Sequence, residues 1–358
     1  MRYLSFAFSI ASLVSAFAVP AALAQEPAGA RPILRTTTAD WLVEVVSDDL
    51  SYPWDINRAG NQIVMTEAGG NIVTIENGRL NRYQVQTSDP IVHDGGSGLL
   101  GMALSADFQT SGRAYLYYTY RSASRLTNKV VQARFDGQSW RETRVLLAGI
   151  PGHPLYNGGR IAIGPDGHLY VTTGWTEKGE LPQDLGSLAG KILRMTQDGS
   201  VPKDNPFEGS YVYSYGHRNP QGLAWNDAGD LFVAEHGQIG HDEINLIKPG
   251  ANFGWPLIYG DEKRPGMEPP ILDSGSDTWA PSGAAFAGRE LLVAALGKRG
   301  LYVFDEEARV LKLVFTSGDR LRHVMPVERE LYVITTNRSP RAQGPSKGDR
   351  LLRLSPKR

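Results

Sequence analysis

Six short apolar runs recur along this chain, each with Gly, Asn, Asp or Arg-Glu just ahead of it. They are Asn61-Gln-Ile-Val-Met, Arg113-Ala-Tyr-Leu-Tyr, Gly167-His-Leu-Tyr-Val, Gly229-Asp-Leu-Phe-Val, Arg289-Glu-Leu-Leu-Val and Arg329-Glu-Leu-Tyr-Val. Ile63, Tyr115, Leu169, Leu231, Leu291 and Leu331 are their first core positions, at intervals of 52, 54, 62, 60 and 40 residues. A period in this range predicts an all-β fold, a six-bladed β-propeller of four-stranded antiparallel blades. Propellers carry their chemistry at one end of a central channel, on loops between blades. The loops after the six runs are therefore the place to look for function.

Another short strand and a turn precede each run. Arg160-Ile-Ala-Ile leads through Pro165-Asp-Gly to Leu169, and Gly222-Leu-Ala-Trp leads through Asp227-Ala-Gly to Leu231. Pro presets φ, Asp caps its own turn and Gly accepts positive φ, which is hairpin chemistry. No long amphipathic helix is predicted, and Gln183 to Arg194 reads as a short irregular excursion. Residues 1–24 read as an export signal peptide. Arg2 is the positive start, Leu4 to Val19 the apolar stretch and Ala22-Leu-Ala24 the cleavage pattern. Residues 25–40 read as a flexible leader and 41–358 as one propeller domain. No further stretch is long and apolar enough to span a bilayer, so the mature chain is expected to have no membrane span and to be periplasmic or secreted.

Bulk properties narrow this picture only a little. The 358 residues contain no cysteine, so a core rather than disulfides must hold an exported fold. A formal net charge of −1 makes no electrostatic case for nucleic acid as a partner. The chain has no P-loop, HExxH, cysteine zinc site or Rossmann glycine fingerprint.

Three loop clusters carry candidate chemistry. Tyr215-Gly-His-Arg-Asn-Pro-Gln-Gly222 is dense in planar hydrogen-bonding groups, which suits either a planar ligand or ties between blades. Glu235-His-Gly-Gln-Ile-Gly-His-Asp-Glu243 combines freed carbonyls with two hard oxygen donors, Asp242 and Glu243, which suits Ca²⁺ or a solvated acid pair. Lys298 follows the fifth run, and Arg320 and Arg322 alternate on one strand face. Two arginines on one face call for an anion between them or for exposure to water.

With Gly98-Leu-Leu-Gly-Met, Gly159-Arg-Ile-Ala-Ile-Gly-Pro-Asp-Gly, Asn252-Phe-Gly-Trp-Pro and Ala280-Pro-Ser-Gly, these strings make the chain resemble the soluble quinoprotein glucose and aldose sugar dehydrogenases (the glucose/sorbosone dehydrogenase family) over about residues 42–355. The resemblance implies a six-bladed propeller. It also implies pyrroloquinoline quinone (PQQ), a flat ortho-quinone with three carboxylates, and Ca²⁺ as cofactors. Arg218, Asn219, Lys298, Arg320 and Arg322 would then clamp carboxylates and quinone oxygens, with His236, Asp242 and Thr278 at further cofactor positions. Gly237 and Gln238 would offer carbonyls to the cofactor's Ca²⁺, and Glu243 and the Phe253 carbonyl would hold a structural Ca²⁺. The implied reaction oxidises an aldose or related sugar at C1 to lactone or acid and passes electrons to an unidentified acceptor.

Three pocket positions depart from the family. Tyr156 stands where its general base, a His, belongs. Gly174-Trp175 stands in place of the Gly-Asp that orients that His, and Gly96 in place of a Gln. A phenol is a weak base at neutral pH, so the candidate bases are Tyr156 and the nearby His153, with His236 as a further one. Two other readings remain open: a non-catalytic binding propeller of the same descent, and a Ca²⁺-dependent lactonase-type propeller.

Overall fold

The computed structural model of the chain describes residues 32–342 and 348–357. Nearly all regular structure in it is antiparallel β. The six apolar runs form Gln62–Glu67, Arg113–Ser122, Leu169–Thr172, Leu231–Glu235, Glu290–Ala295 and Glu330–Thr335. Each is the second strand of an up-and-down meander, and each is buried along most of its length because neighbouring sheets cover both faces. The predicted hairpins form as their residues dictate: Gly167 takes φ 77° and donates to the Gly164 carbonyl, while Asp166 accepts from the His168 amide.

Hydrogen bonding groups the strands into five sheets rather than the expected six separate ones. Four have four strands. The fifth has eight, because Arg79–Gln86 and Trp140–Pro151, the last strands of two consecutive meanders, pair in parallel at Val85–Trp140 and Gln86–Arg141. The first strands of the six meanders, Pro53–Ala59, Leu99–Leu104, Ile161–Ile163, Pro220–Trp225, Pro281–Ala287 and Leu321–Val327, all line one central cavity. This is the arrangement of a β-propeller. The ring is closed by the chain ends, since Trp41–Leu50 pairs with Asp349–Pro356 at the outside of the last sheet.

Of the expected leader, residues 32–40 are folded. They form two 3-10 turns, Ile33–Arg35 and Thr38–Asp40, and the Glu290 carboxylate accepts from the Ile33 and Leu34 amides at 2.8 and 2.6 Å. The expected signal peptide and residues 25–31 lie outside the described residues. The excursion expected over Gln183–Arg194 ends earlier, because Lys191–Met195 is a fully buried strand. Lys191 anchors the preceding loop: its Nζ donates to the carbonyls of Leu181, Pro182 and Ala189 at 2.8, 3.0 and 2.7 Å.

Candidate functional site

A polar plug crosses the central channel, and every inner strand or its lead-in contributes to it. Asp55 accepts from Arg160 at 2.7 Å and from the Met102 amide at 2.9 Å, and His323 lies 2.9 Å from the same carboxylate. Arg160 also donates to the Gln221 carbonyl at 2.8 Å. The Gln221 side-chain oxygen accepts from Arg322 at 2.9 Å and from Ser282 at 3.1 Å. Burial opposes ionisation of Asp55, but Arg160 and His323 outweigh it and hold the carboxyl below its ordinary value. The plug separates two hollows. The far one is the channel mouth lined by the six inner strands.

The near hollow is a cleft of about 490 Å³ including its open mouth. Five predicted residues line it: Tyr156, Asn219, His236, Arg320 and Arg322. Tyr52, Trp54, Gln221, Ser339 and Arg341 complete its polar and aromatic wall, and among the described residues no Asp or Glu lines it. Arg320 donates to Ser339 Oγ and to the Leu296 carbonyl, both at 3.1 Å. The Nε atoms of Arg218 and Arg322 and the Nε2 of His236 are buried without a protein partner. Burial pushes Arg322 down to about 10, and burial with the surrounding arginines pushes His236 down to about 3, so its ring is neutral at physiological pH. Donors that are buried and unpaired in a cation-rich, acid-free hollow fit an anionic, acceptor-bearing ligand.

Arg218 lies at the junction with a smaller cavity that it shares with His236, Gly237, Glu243 and Phe253. Its guanidinium faces the rings of Tyr156, Trp255 and Trp175 at 4.9, 5.3 and 5.5 Å and donates to the His236 carbonyl at 3.2 Å. Glu235 and Glu243 both face this cavity, tied through Asn245. Burial, then Glu235, pushes the Glu243 carboxyl up to about 8. Gly237 is required by close approach, since a Cβ there would come within 1.9 Å of the His241 carbonyl oxygen. Among the described residues no group of three or more His, Cys, Asp or Glu side chains forms a metal cage.

The remaining predicted residues fall outside both cavities. Asp242 is turned inward and accepts from the amides of Gly237, Trp279 and Ala280 at 2.8, 2.6 and 2.8 Å, so its carboxylate staples two loops together. Lys298 pairs with Asp277, while Thr278 and Gln238 are exposed. His153 stacks on Tyr156 at 5.2 Å. Its Nδ1 accepts from the Leu155 amide at 3.1 Å and its Nε2 faces Glu177 at 3.4 Å, so neither nitrogen offers a free lone pair to the cleft. Burial, partly offset by Glu177, lowers its pKa.

Tyr156 touches Gly174 and Trp175, and Gly96 packs on the segment that carries Tyr156. The Gly96 amide donates to the Pro154 carbonyl, and a Cβ on Gly96 would crowd the carbonyls of Leu155 and Pro154 at 3.1 and 3.2 Å. The Tyr156 carbonyl presses against Gly174, and the Tyr156 and Trp175 rings lie 5.9 Å apart. Tyr156 itself is buried, and its hydroxyl accepts from Arg341 Nη2 at 2.8 Å. Sequence reasoning missed Arg341 and the Asp55–Arg160–His323 group. Their one sequence signal was Arg160, inside the Gly159-Arg-Ile string.

Comparison with known proteins agrees with this geometry. The Glucose / Sorbosone dehydrogenase family profile matches residues 50–343. The Aldose sugar dehydrogenase YliI of Escherichia coli is 30% identical over 91% of this chain and 97% of its own length. Quinoprotein glucose dehydrogenase B of Acinetobacter calcoaceticus is 36% identical over 56% of this chain and 49% of its own length. The PQQ-bound structure of aldose sugar dehydrogenase from Streptomyces coelicolor superposes with a TM-score of 0.80 at 34% identity, covering 90% of this chain and 100% of that one. The chain belongs to the glucose/sorbosone dehydrogenase family.

Proposed function

We propose that this protein is an exported six-bladed propeller that binds PQQ with Ca²⁺ and oxidises an aldose or related sugar at C1 to the lactone or acid. The carrying observation is the acid-free cleft, whose arginine and histidine nitrogens are buried without partners. Three guanidiniums, those of Arg218, Arg320 and Arg322, match three carboxylates in number, and Asn219 adds a planar amide beside them. Tyr52, Trp54 and Tyr156 give flat apolar walls suited to a flat ring system. Held there, the quinone would supply the acceptor for the hydride that leaves the sugar's C1. The six-blade count is supported by six meanders that share one channel, the eight-stranded sheet counting as two blades joined at their outer edges.

In this reading the protein's own residues position and neutralise. The arginines screen the cofactor's charge, and the plug beneath them fixes Arg322 through Gln221. Both nitrogens of His153 are engaged, which leaves Tyr156 and His236 as the candidate bases that line the cleft; Tyr156 could take the anomeric proton only after giving up its own. Ca²⁺ would rest on the carbonyls of Gly237 and Gln238 together with the cofactor. A second Ca²⁺ at Glu243 and the Phe253 carbonyl would relieve the two facing carboxylates, Glu235 and Glu243. The positive start, apolar stretch and Ala-Leu-Ala pattern of residues 1–24 support export, and no helix among the described residues is long and apolar enough to cross a membrane.

A phenol in place of the histidine base favours one alternative, a propeller that binds the quinone without turnover. Titrating the protein with quinone in the presence of Ca²⁺, then assaying an aldose panel with a dye acceptor, separates the two. Absence of quinone binding refutes both.

A further inference from the structure

Four guanidiniums stand around the cleft, one more than its proposed cofactor has carboxylates: Arg320, Arg322 and Arg341 line it, and Arg218 adjoins it across the Tyr156 ring. Arg218, Arg320 and Arg322 are the inner three, and each is at least partly buried. Arg341 stands apart: it is exposed, it follows the strand Glu330–Thr335, and it reaches the cleft wall at Tyr156. Its one hydrogen bond among the described residues goes to the Tyr156 hydroxyl. A guanidinium has five N–H donors in a planar fork, so most of its capacity has no partner among the described residues, at the wall of the cleft. The hydrogen bonds of all four arginines go to carbonyls, hydroxyls and an amide oxygen, none to a carboxylate.

We propose that Arg341 selects the substrate, and that the substrate is an anionic aldose, one that bears a carboxylate or phosphate of its own. Its anionic group pairs with Arg341 while its C1 hydroxyl faces Tyr156. This rests on the quinone dehydrogenase reading above. A neutral sugar leaves the fourth positive charge uncompensated beside three others, whereas an anion relieves that repulsion and takes the fork in two parallel bonds. The exposed position suits a group that arrives with substrate and leaves with product, rather than one that holds a resident cofactor.

The test uses the quinone- and Ca²⁺-loaded protein with glucose, glucuronate and glucose 6-phosphate, comparing wild type, Arg341→Gln and Arg341→Lys. Rates are measured with a dye acceptor, and each sugar is titrated calorimetrically in parallel. At least one anionic sugar should show a KM and Kd roughly tenfold below those of glucose, the range of a charge-assisted hydrogen bond. Raised salt should shrink that ratio, Arg341→Gln should collapse it toward one, and Arg341→Lys should keep part of it. Glucuronate and glucose 6-phosphate distinguish carboxylate from phosphate as the recognised group. The proposal is overturned if glucose binds as well as both anionic sugars, or if the preference survives Arg341→Gln. It is equally overturned if Arg341→Gln weakens the quinone at least as much as it weakens the anionic sugar, since Arg341 would then be a fourth cofactor clamp. If quinone does not bind, the dehydrogenase reading fails by itself, and calorimetry of the sugars alone decides the role of Arg341. If quinone binds without turnover, the same calorimetry decides it.

Discussion

Asp55 and Arg160 form an ion pair at 2.7 Å in which each side chain is at most 3% exposed. The pair joins two inner strands from opposite sides of the eight-stranded sheet's boundary and sits in the centre of the channel plug. Breaking a buried pair from one side strands the other charge, which costs about 3–5 kcal/mol. Asp55→Asn should therefore lower stability by that order, read as a drop in the denaturant midpoint. The pH dependence has a definite sign. The folded pKa of Asp55 is lowered, so its contribution is complete above the ordinary carboxyl value of 3.8 and is lost as pH falls through the folded value. The stability gap between wild type and Asp55→Asn should narrow in acid.

Arg322 donates to Gln221 and leaves its buried Nε for a ligand. Arg322→Met should weaken quinone binding roughly 10- to 100-fold, the loss expected for charge-assisted hydrogen bonds. Fluorescence titration of the quinone measures this directly. Unchanged affinity would refute the assignment of the cleft to the cofactor's carboxylates.

Tyr156→Phe removes the hydroxyl that Arg341 donates to and keeps the ring stacked on His153. If Tyr156 accepts the proton, kcat should fall about 100-fold or more while quinone affinity changes little. The converse experiment is Tyr156→His with Trp175→Asp, which supplies the base and orienter that the resemblance leads one to expect at these positions. Because residues 156, 174 and 175 are in contact, the double change should raise kcat more than the sum of the single ones, as a double-mutant cycle will show.

Lys191 is fully buried and gives three hydrogen bonds to one loop. Lys191→Met keeps the stem and leaves three carbonyls without donors, at about 1–3 kcal/mol each if they stay dry. The melting temperature should fall, and limited proteolysis should cut first within residues 176–190.

The architecture was legible because each second strand is an unbroken apolar run with turn chemistry before it, and the period counts the meanders. The fusion of two meanders through Val85 and Trp140 was not legible, since parallel edge pairing is set by how adjacent sheets twist together. The cleft was legible where strings such as His217-Arg-Asn-Pro-Gln carry several site residues at once. Arg341 was not, because it lies in a loop of ordinary composition and meets Tyr156 only when the ring is closed. Lys298 looked like a cofactor ligand by position, yet Asp277, 21 residues earlier, takes its charge.

The pairing of Trp41–Leu50 with Asp349–Pro356 also orders events in time. A chain made from its N-terminus holds Trp41–Leu50 without this strand partner until Asp349–Pro356 has been made. Arg322 lies on the first strand of that closing sheet, Arg320 just before it and Arg341 after its second strand, so the arginine wall of the cleft takes shape only when Trp41–Leu50 meets Asp349–Pro356. Deleting Asp349–Pro356 would therefore take the arginine wall of the cleft with it as well as the closure of the ring.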